Sequence, residues 1–194
     1  MTVLIILGVV VLGLVLAGCS TTRSGYESAP YTVLRTLDKF EVRDYPALTV
    51  VETPMDPSGT SADGSFSRLF KFITGKNDAK QKIAMTTPVI MLNEGTTASM
   101  AFVLPAQLKT SGVPKPEDGN VKVRELPAGR FAVLRFSGGR NSQKEAEALV
   151  QLKTWMAAEA MGVTSPPAFG YFDPPWTPTF LRRNEVMLRT EAGR

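Results

Sequence analysis

Two apolar patterns follow one another along this chain, one with a period of two residues and one near 3.6, and their order occurs twice. Phe40-Glu41-Val42-Arg43-Asp44-Tyr45-Pro46-Ala47 alternates before a Pro-Ala corner, and Val121-Lys122-Val123-Arg124-Glu125-Leu126-Pro127-Ala128 does the same. Val, Arg, Pro and Ala coincide, acids stand at Asp44 and Glu125, and Arg43 and Arg124 set the offset at 81 residues. Alternation of this kind predicts strands buried on one face. Each corner runs into a second apolar strand, Leu48-Thr49-Val50-Val51 or Phe131-Ala132-Val133-Leu134, and then into a helix. Phe66, Leu69, Phe70 and Ile73, at i, i+3, i+4 and i+7, predict the first helix over residues 65–74, with Gly75 at its C′ position. For the second helix, Ser142 and Glu145 make a capping box. Ala146, Leu149, Val150, Ala157 and Ala160 supply an inner face and Gly162 the stop. Further strands are expected at 83–92 and 100–104, then at 169–172 and 184–189. Two copies of so long a unit indicate a pseudo-twofold domain and not a solenoid, which needs three or more. The expected class is α+β: two pseudo-symmetric ββαββ halves forming a curved antiparallel sheet or distorted barrel flanked by two helices.

Residues 3–16 form an unbroken apolar run. A bilayer crossing needs about 20 such residues, so this length suits the apolar core of a signal peptide. Leu16-Ala17-Gly18-Cys19 ends the run and resembles a lipobox, although Met1-Thr2 supplies no Lys or Arg ahead of it. The resemblance implies a diacylglyceryl thioether on Cys19, cleavage before it and acylation, for example by palmitate, of the new amino terminus. Several acyl chains hold a protein on a membrane where one does not. An uncleaved apolar anchor is the alternative. The chain therefore reads as signal peptide 1–18, flexible tether 19–30 and one domain over 31–192. Ser20, where an Asp would resemble an inner-membrane retention signal, favours an outer-membrane lipoprotein facing the periplasm.

Composition narrows the chemistry. Among 194 residues there is no histidine and one cysteine, Cys19. This removes Ser-His-Asp and Cys-His catalysis, the commonest zinc and haem ligand, and any intramolecular disulfide. No paired carboxylates or glycine-rich phosphate loop stand in their place, and the chain is expected not to be an enzyme. The net charge of +4 is spread along the sequence, so nucleic acid is not expected as a partner.

Two longer motifs carry a family resemblance. Lys82-Ile83-Ala84-Met85-Thr86-Thr87-Pro88-Val89, preceded by Gly75-Lys76-Asn77-Asp78, resembles the central signature of the SOUL haem-binding proteins. Tyr171-Phe172-Asp173-Pro174-Pro175-Trp176-Thr177-Pro178 followed by Arg182-Arg183-Asn184-Glu185-Val186 resembles their carboxy-terminal signature. The resemblance implies a sheet of two related halves, similar to the effector-binding domains of some bacterial transcription regulators. It also implies binding of haem or another tetrapyrrole in a shallow apolar cleft beside the first helix, with cations meeting the propionates. Lys71 falls where the family carries a lysine implicated in propionate contact, and Phe66 where it carries an apolar residue at the ligand.

The residues admit this reading and a plainer one. Phe66, Leu69, Phe70 and Ile73 can cover a porphyrin while Arg68 and Lys71 pair with its carboxylates. Equally, the stripe can be the face a helix buries on its sheet, with Arg68 and Lys71 solvated. Met85 can touch the ligand or fix a strand entry. Trp176 can stack on a flat guest or belong to a rigid Asp-Pro-Pro turn. With no histidine, a haem iron would be left to Met, Tyr, Lys or water, or the ring would be held by contact and charge alone. Thr177 also stands where some relatives carry a lysine. Two other classes remain: a binder of another apolar, including cationic, small molecule, favoured if a carboxylate such as Glu185 lies inside the cleft, and a lipoprotein that docks a protein partner.

Overall fold

The computed structural model describes residues 25–56, 63–94 and 97–191. The apolar run 3–16 and Cys19 lie outside them. Among the described residues no helix is long and apolar enough to cross a membrane. In chain order the elements are β1 (Glu27–Ser28), β2 (Thr32–Leu37), β3 (Phe40–Tyr45), β4 (Leu48–Met55), α1 (Ser65–Ile73), β5 (Thr86–Thr87), β6 (Val89–Glu94) and β7 (Thr97–Val103). They continue with α2 (Leu108–Ser111), β8 (Lys122–Leu126), β9 (Gly129–Ser137), α3 (Ser142–Ala158), β10 (Ala168–Tyr171), a 3₁₀ turn at Thr179–Leu181 and β11 (Arg183–Thr190).

Nine strands form one antiparallel sheet in the order β2-β3-β9-β11-β10-β6-β7-β4-β8. Exchange β3 with β8, β4 with β9, β6 with β10 and β7 with β11, and the order from β3 to β8 reads the same backwards. A pseudo-twofold axis therefore passes between β6 and β10. The pairing register carries the repeat: Arg43 lies opposite Phe131 and Arg124 opposite Val50, each pair displaced from the other by the same 81 residues. The sheet does not close, because β2 pairs only with β3 and β8 only with β4. A separate parallel pair joins β1 to β5, and the Ala29 amide continues it to the Thr87 carbonyl at 2.8 Å. Residues 27–29, assigned to the tether on composition, thus join the fold.

Alternation sorts each strand onto two faces. Val42, Val51, Phe102, Leu134, Val186 and Leu188 meet Leu69, Phe72 and Ile73 of α1 and Ala148, Leu152, Trp155 and Met156 of α3 in one core. On the opposite, helix-free face Leu48, Val50, Ile90, Ala101 and Val103 form a second cluster, with Tyr45, Leu92, Leu126 and Ala168 packed against it.

The helix ends differ from the sequence reading in informative ways. Asn141, not Ser142, caps α3, its Oδ1 accepting the Lys144 amide at 3.0 Å. The buried face of α3 is Ala148, Leu152, Trp155 and Met156, while Val150 is 64% exposed and Ala146, Ala157 and Ala160 are exposed too. Trp155 and Met156 offer far more apolar area than a row of alanines, so they decide which side turns inward. The two long helices, α1 and α3, close with the same paired bonds. After α1 these run from Lys76 N–H to Lys71 O (2.9 Å) and from Gly75 N–H to Phe72 O (3.3 Å). After α3 they run from Met161 N–H to Met156 O (2.8 Å) and from Ala160 N–H to Ala157 O (3.2 Å). This motif needs a left-handed residue at C′. Gly75 fills it at φ 111°, whereas in the second half Ala160, and not the expected Gly162, takes it at φ 53°.

Candidate ligand-binding site

The stripe on α1 divides. Leu69 and Ile73 turn into the core with Phe72, while Phe66 and Phe70 remain 45% and 47% exposed. At 100° per residue the buried row, Ser65, Leu69, Phe72 and Ile73, is rotated by roughly 65° from the expected one, and Phe72 is what draws it round. The two outward rings lie 5.9 Å apart and only 15° from parallel. Phe66 is held edge-on against Phe102 of β7, with centroids 5.2 Å apart. The result is an apolar shelf on the surface beside the exposed Lys71, whose ammonium makes no ion pair or hydrogen bond among the described residues.

Other anticipated site residues go elsewhere. Arg68 is spent on the chain around the helix start: Nε donates to Thr53 Oγ1 at 2.9 Å, Nη1 to the Asp63 carbonyl at 3.0 Å and Nη2 to the Pro54 carbonyl at 2.6 Å. It staples α1 to the end of β4. Met85 is half-buried against the helix-side core. Trp176 is 73% exposed on the β10–β11 connection. That connection is braced locally by the Arg183 amide on Asp173 Oδ2 (2.6 Å), by Arg182 Nε on the Thr177 carbonyl (2.8 Å) and by Thr177 N–H on the Pro174 carbonyl (3.0 Å). The motif therefore makes a rigid turn, as the plainer reading expected, and no ring contact links Trp176 to the shelf among the described residues. The structure pairs Phe66 with Phe70 on the surface, leaves Lys71 and Trp176 exposed, turns Leu69 and Ile73 into the core and bonds Arg68 to the end of β4.

The helix-free face holds a feature that the sequence reading did not find. A cleft of about 230 Å³ opens over the second cluster, walled by Tyr45, Ile90, Leu126, Phe131 and Met187, with Arg189 also on its lining. Next to it, on β3, β9 and β11, lies an ion cluster in which Arg43 and Glu185 are both fully buried. Glu185 Oε2 accepts Arg43 Nη1 at 2.7 Å, and Oε1 accepts Arg43 Nη2 and Arg183 Nε, each at 2.9 Å. Arg43 Nε donates to Glu41 Oε2 at 2.6 Å, and Arg135 Nη2 stands 2.9 Å from Glu41 Oε1. Burial alone would raise the Glu185 pKa, but the bonds and charge of Arg43, with Arg183, outweigh it and hold the carboxyl below its ordinary range. Burial likewise opposes charge on Arg43, and Glu185 reverses this and raises its pKa. Tyr45, whose hydroxyl accepts Arg43 Nη1 at 2.9 Å, is pushed up to about 12, chiefly by burial, with Arg43 opposing. Glu185 does lie on the cleft side of the sheet, but both its oxygens are already taken by arginines. The open carboxylate that a cationic guest would require is not there.

A signal for this face existed in the period-two pattern. Arg183, Glu185, Met187 and Arg189 alternate along β11 with Val186 and Leu188, as Glu41, Arg43 and Tyr45 do with Phe40 and Val42 along β3. Read alone, each charged row looks solvated; only their meeting across the sheet buries them.

The family model for the SOUL heme-binding protein matches residues 26–189. The chain belongs to the SOUL family. No curated protein matches it by sequence. Among solved structures it is similar to the EcmrR C-terminal domain, with a TM-score of 0.59 and 15% identity over 81% of this chain and 100% of that one. It is also similar to an uncharacterized conserved protein of Listeria innocua, with a TM-score of 0.57 and 12% identity over 79% of this chain and 92% of that one. A protein of Listeria innocua described as a hydrolase gives a TM-score of 0.57 and 9% identity over 81% and 94%. At these identities the likeness concerns the fold, which this SOUL chain shares with EcmrR-type domains.

Proposed function

We propose that this SOUL-family chain is a non-catalytic tetrapyrrole binder, carried as a lipoprotein on Cys19 at the periplasmic face of the envelope, in the outer membrane. Family membership supports the ligand class, and the exposed, nearly parallel Phe66–Phe70 pair is the observation that carries the site. Phe66 packs against Phe102 and Phe70 stacks on Phe66, so the half-exposed pair presents an apolar surface at little entropic cost on binding. The ring lies on Phe66 and Phe70, and the Lys71 ammonium meets a propionate at the edge. Bound haem brings its own iron chemistry; this chain has no imidazole with which to ligate that iron, and no cluster of metal-ligating residues occurs among the described ones. The residues fit a macrocycle held by contact and charge. Iron-free protoporphyrin is therefore expected to bind about as well as hemin. Titration of the full chain in lipid nanodiscs with each porphyrin tests this: a saturable Soret shift at micromolar ligand supports it, and no saturable shift rules it out.

A further inference from the structure

We infer that the cleft on the helix-free face is a second site, for a compact aromatic carboxylate, with Arg189 as its counter-ion. Its volume of about 230 Å³ exceeds the roughly 150 Å³ of a cavity that accepts benzene. It falls short of the 300–1,000 Å³ typical of pockets for drug-sized ligands. One or two fused rings fit; a whole tetrapyrrole does not, so this site is separate from the α1 shelf. The walls suit an arene. Tyr45 and Phe131 meet edge to face at 5.5 Å and 86°, and Ile90, Leu126 and Met187 complete an apolar lining.

Arg189 gives the cleft its sign. Its guanidinium is seated, not floating: Nη1 donates to the Ala128 carbonyl at 2.9 Å and Nη2 to the Pro127 carbonyl at 2.7 Å, and Cζ lies 4.9 Å from the Phe131 ring centroid. Gly129 makes room for this seat, since a Cβ there would stand 2.0 Å from Nη1. Both fixed partners are neutral carbonyls, and Arg189 pairs with no carboxylate among the described residues. A guanidinium carries five N–H donors and two are used here, so the group keeps donors and an unanswered positive charge at the edge of an apolar hollow. A planar carboxylate satisfies both, whereas an ammonium is repelled and a neutral arene gains only burial.

The test is calorimetric titration of the full-length chain in nanodiscs with 2-naphthoate and with 2-naphthylmethylammonium, empty nanodiscs serving as blank. Saturable one-to-one binding of naphthoate and none of the cation is expected. Arg189→Gln weakens naphthoate about tenfold or more, and Leu92→Trp, at a half-buried position on the cleft wall, abolishes it. Absence of saturable naphthoate binding at millimolar ligand, equal binding of the cation, or unchanged affinity in Leu92→Trp overturns the inference. Should either variant fold poorly, the contrast between the two wild-type titrations decides alone. Porphyrin titration of the same samples keeps the two sites apart: failure there leaves naphthoate binding standing, and the reverse holds equally.

Discussion

Replacing Glu185 by Gln keeps the shape of the side chain but removes the charge facing a fully buried guanidinium. In the wild type, Arg43 places Nη1 and Nη2 on the two Glu185 oxygens at 2.7 and 2.9 Å, and its own side chain is wholly out of water. Losing one partner of a buried pair costs about 3–5 kcal/mol, because the remaining charge is left uncompensated. Glu41, 2.6 Å from Arg43 Nε, still answers part of that charge, so the lower end is expected, near 3 kcal/mol. That is a large share of the 5–15 kcal/mol by which domains are ordinarily stable. At a urea m-value of about 2–3 kcal/mol/M it lowers the unfolding midpoint by roughly 1–1.5 M with the slope unchanged. Acid supplies a second signature. The folded-state pKa of Glu185 lies below its ordinary 4.5, so its contribution is full above that value and is lost as pH falls through the folded pKa. The stability gap between wild type and Glu185→Gln should therefore be widest at neutral pH and narrow as pH falls below 4.5. Removing both partners in Arg43→Met/Glu185→Leu should recover most of the loss. A cost below about 1 kcal/mol for Glu185→Gln, or a gap that stays constant on acidification, would refute this account of the cluster.

Ala160→Gly should stabilise the protein by about 1 kcal/mol, seen as a higher thermal midpoint, since it relieves the left-handed backbone at φ 53° that Gly75 occupies without strain in the other half. Phe70→Asp should leave the fold intact and weaken porphyrin binding at least about tenfold, because it deletes one of the two rings of the shelf; an unchanged Soret titration would place the ring elsewhere. Arg68→Ala should lower the stability of α1, read by amide hydrogen exchange, by about 1–3 kcal/mol through the loss of its three bonds to Thr53, Asp63 and Pro54, with little direct effect on porphyrin affinity. Cys19→Ser should abolish incorporation of labelled palmitate and release the protein from membranes; retention in the membrane fraction would point to an uncleaved anchor.

Much of this protein was legible from its residues in order. Alternation in the two Val-Arg segments marked β3 and β8, and their 81-residue offset reappeared unchanged in the register of β3 on β9 and β4 on β8, because a hydrogen-bonded ladder transmits sequence spacing directly. The sequence contains no imidazole, and its two signature motifs pointed to the SOUL family to which the chain belongs. What the sequence could not decide was which side of each element faces what. On α1, Phe72 turns the buried row and leaves Phe66 and Phe70 outside; on α3, Trp155 and Met156 overrule a stripe of smaller residues. Arg68 looked free until the end of β4 came within reach of it. The buried cluster joins Arg43 to a carboxylate 142 residues away, and the cleft draws its wall from strands of both halves. Local periodicity is a property of neighbours along the chain, whereas burial, ion pairing and hollows arise where distant strands meet, and only the folded sheet sets those meetings.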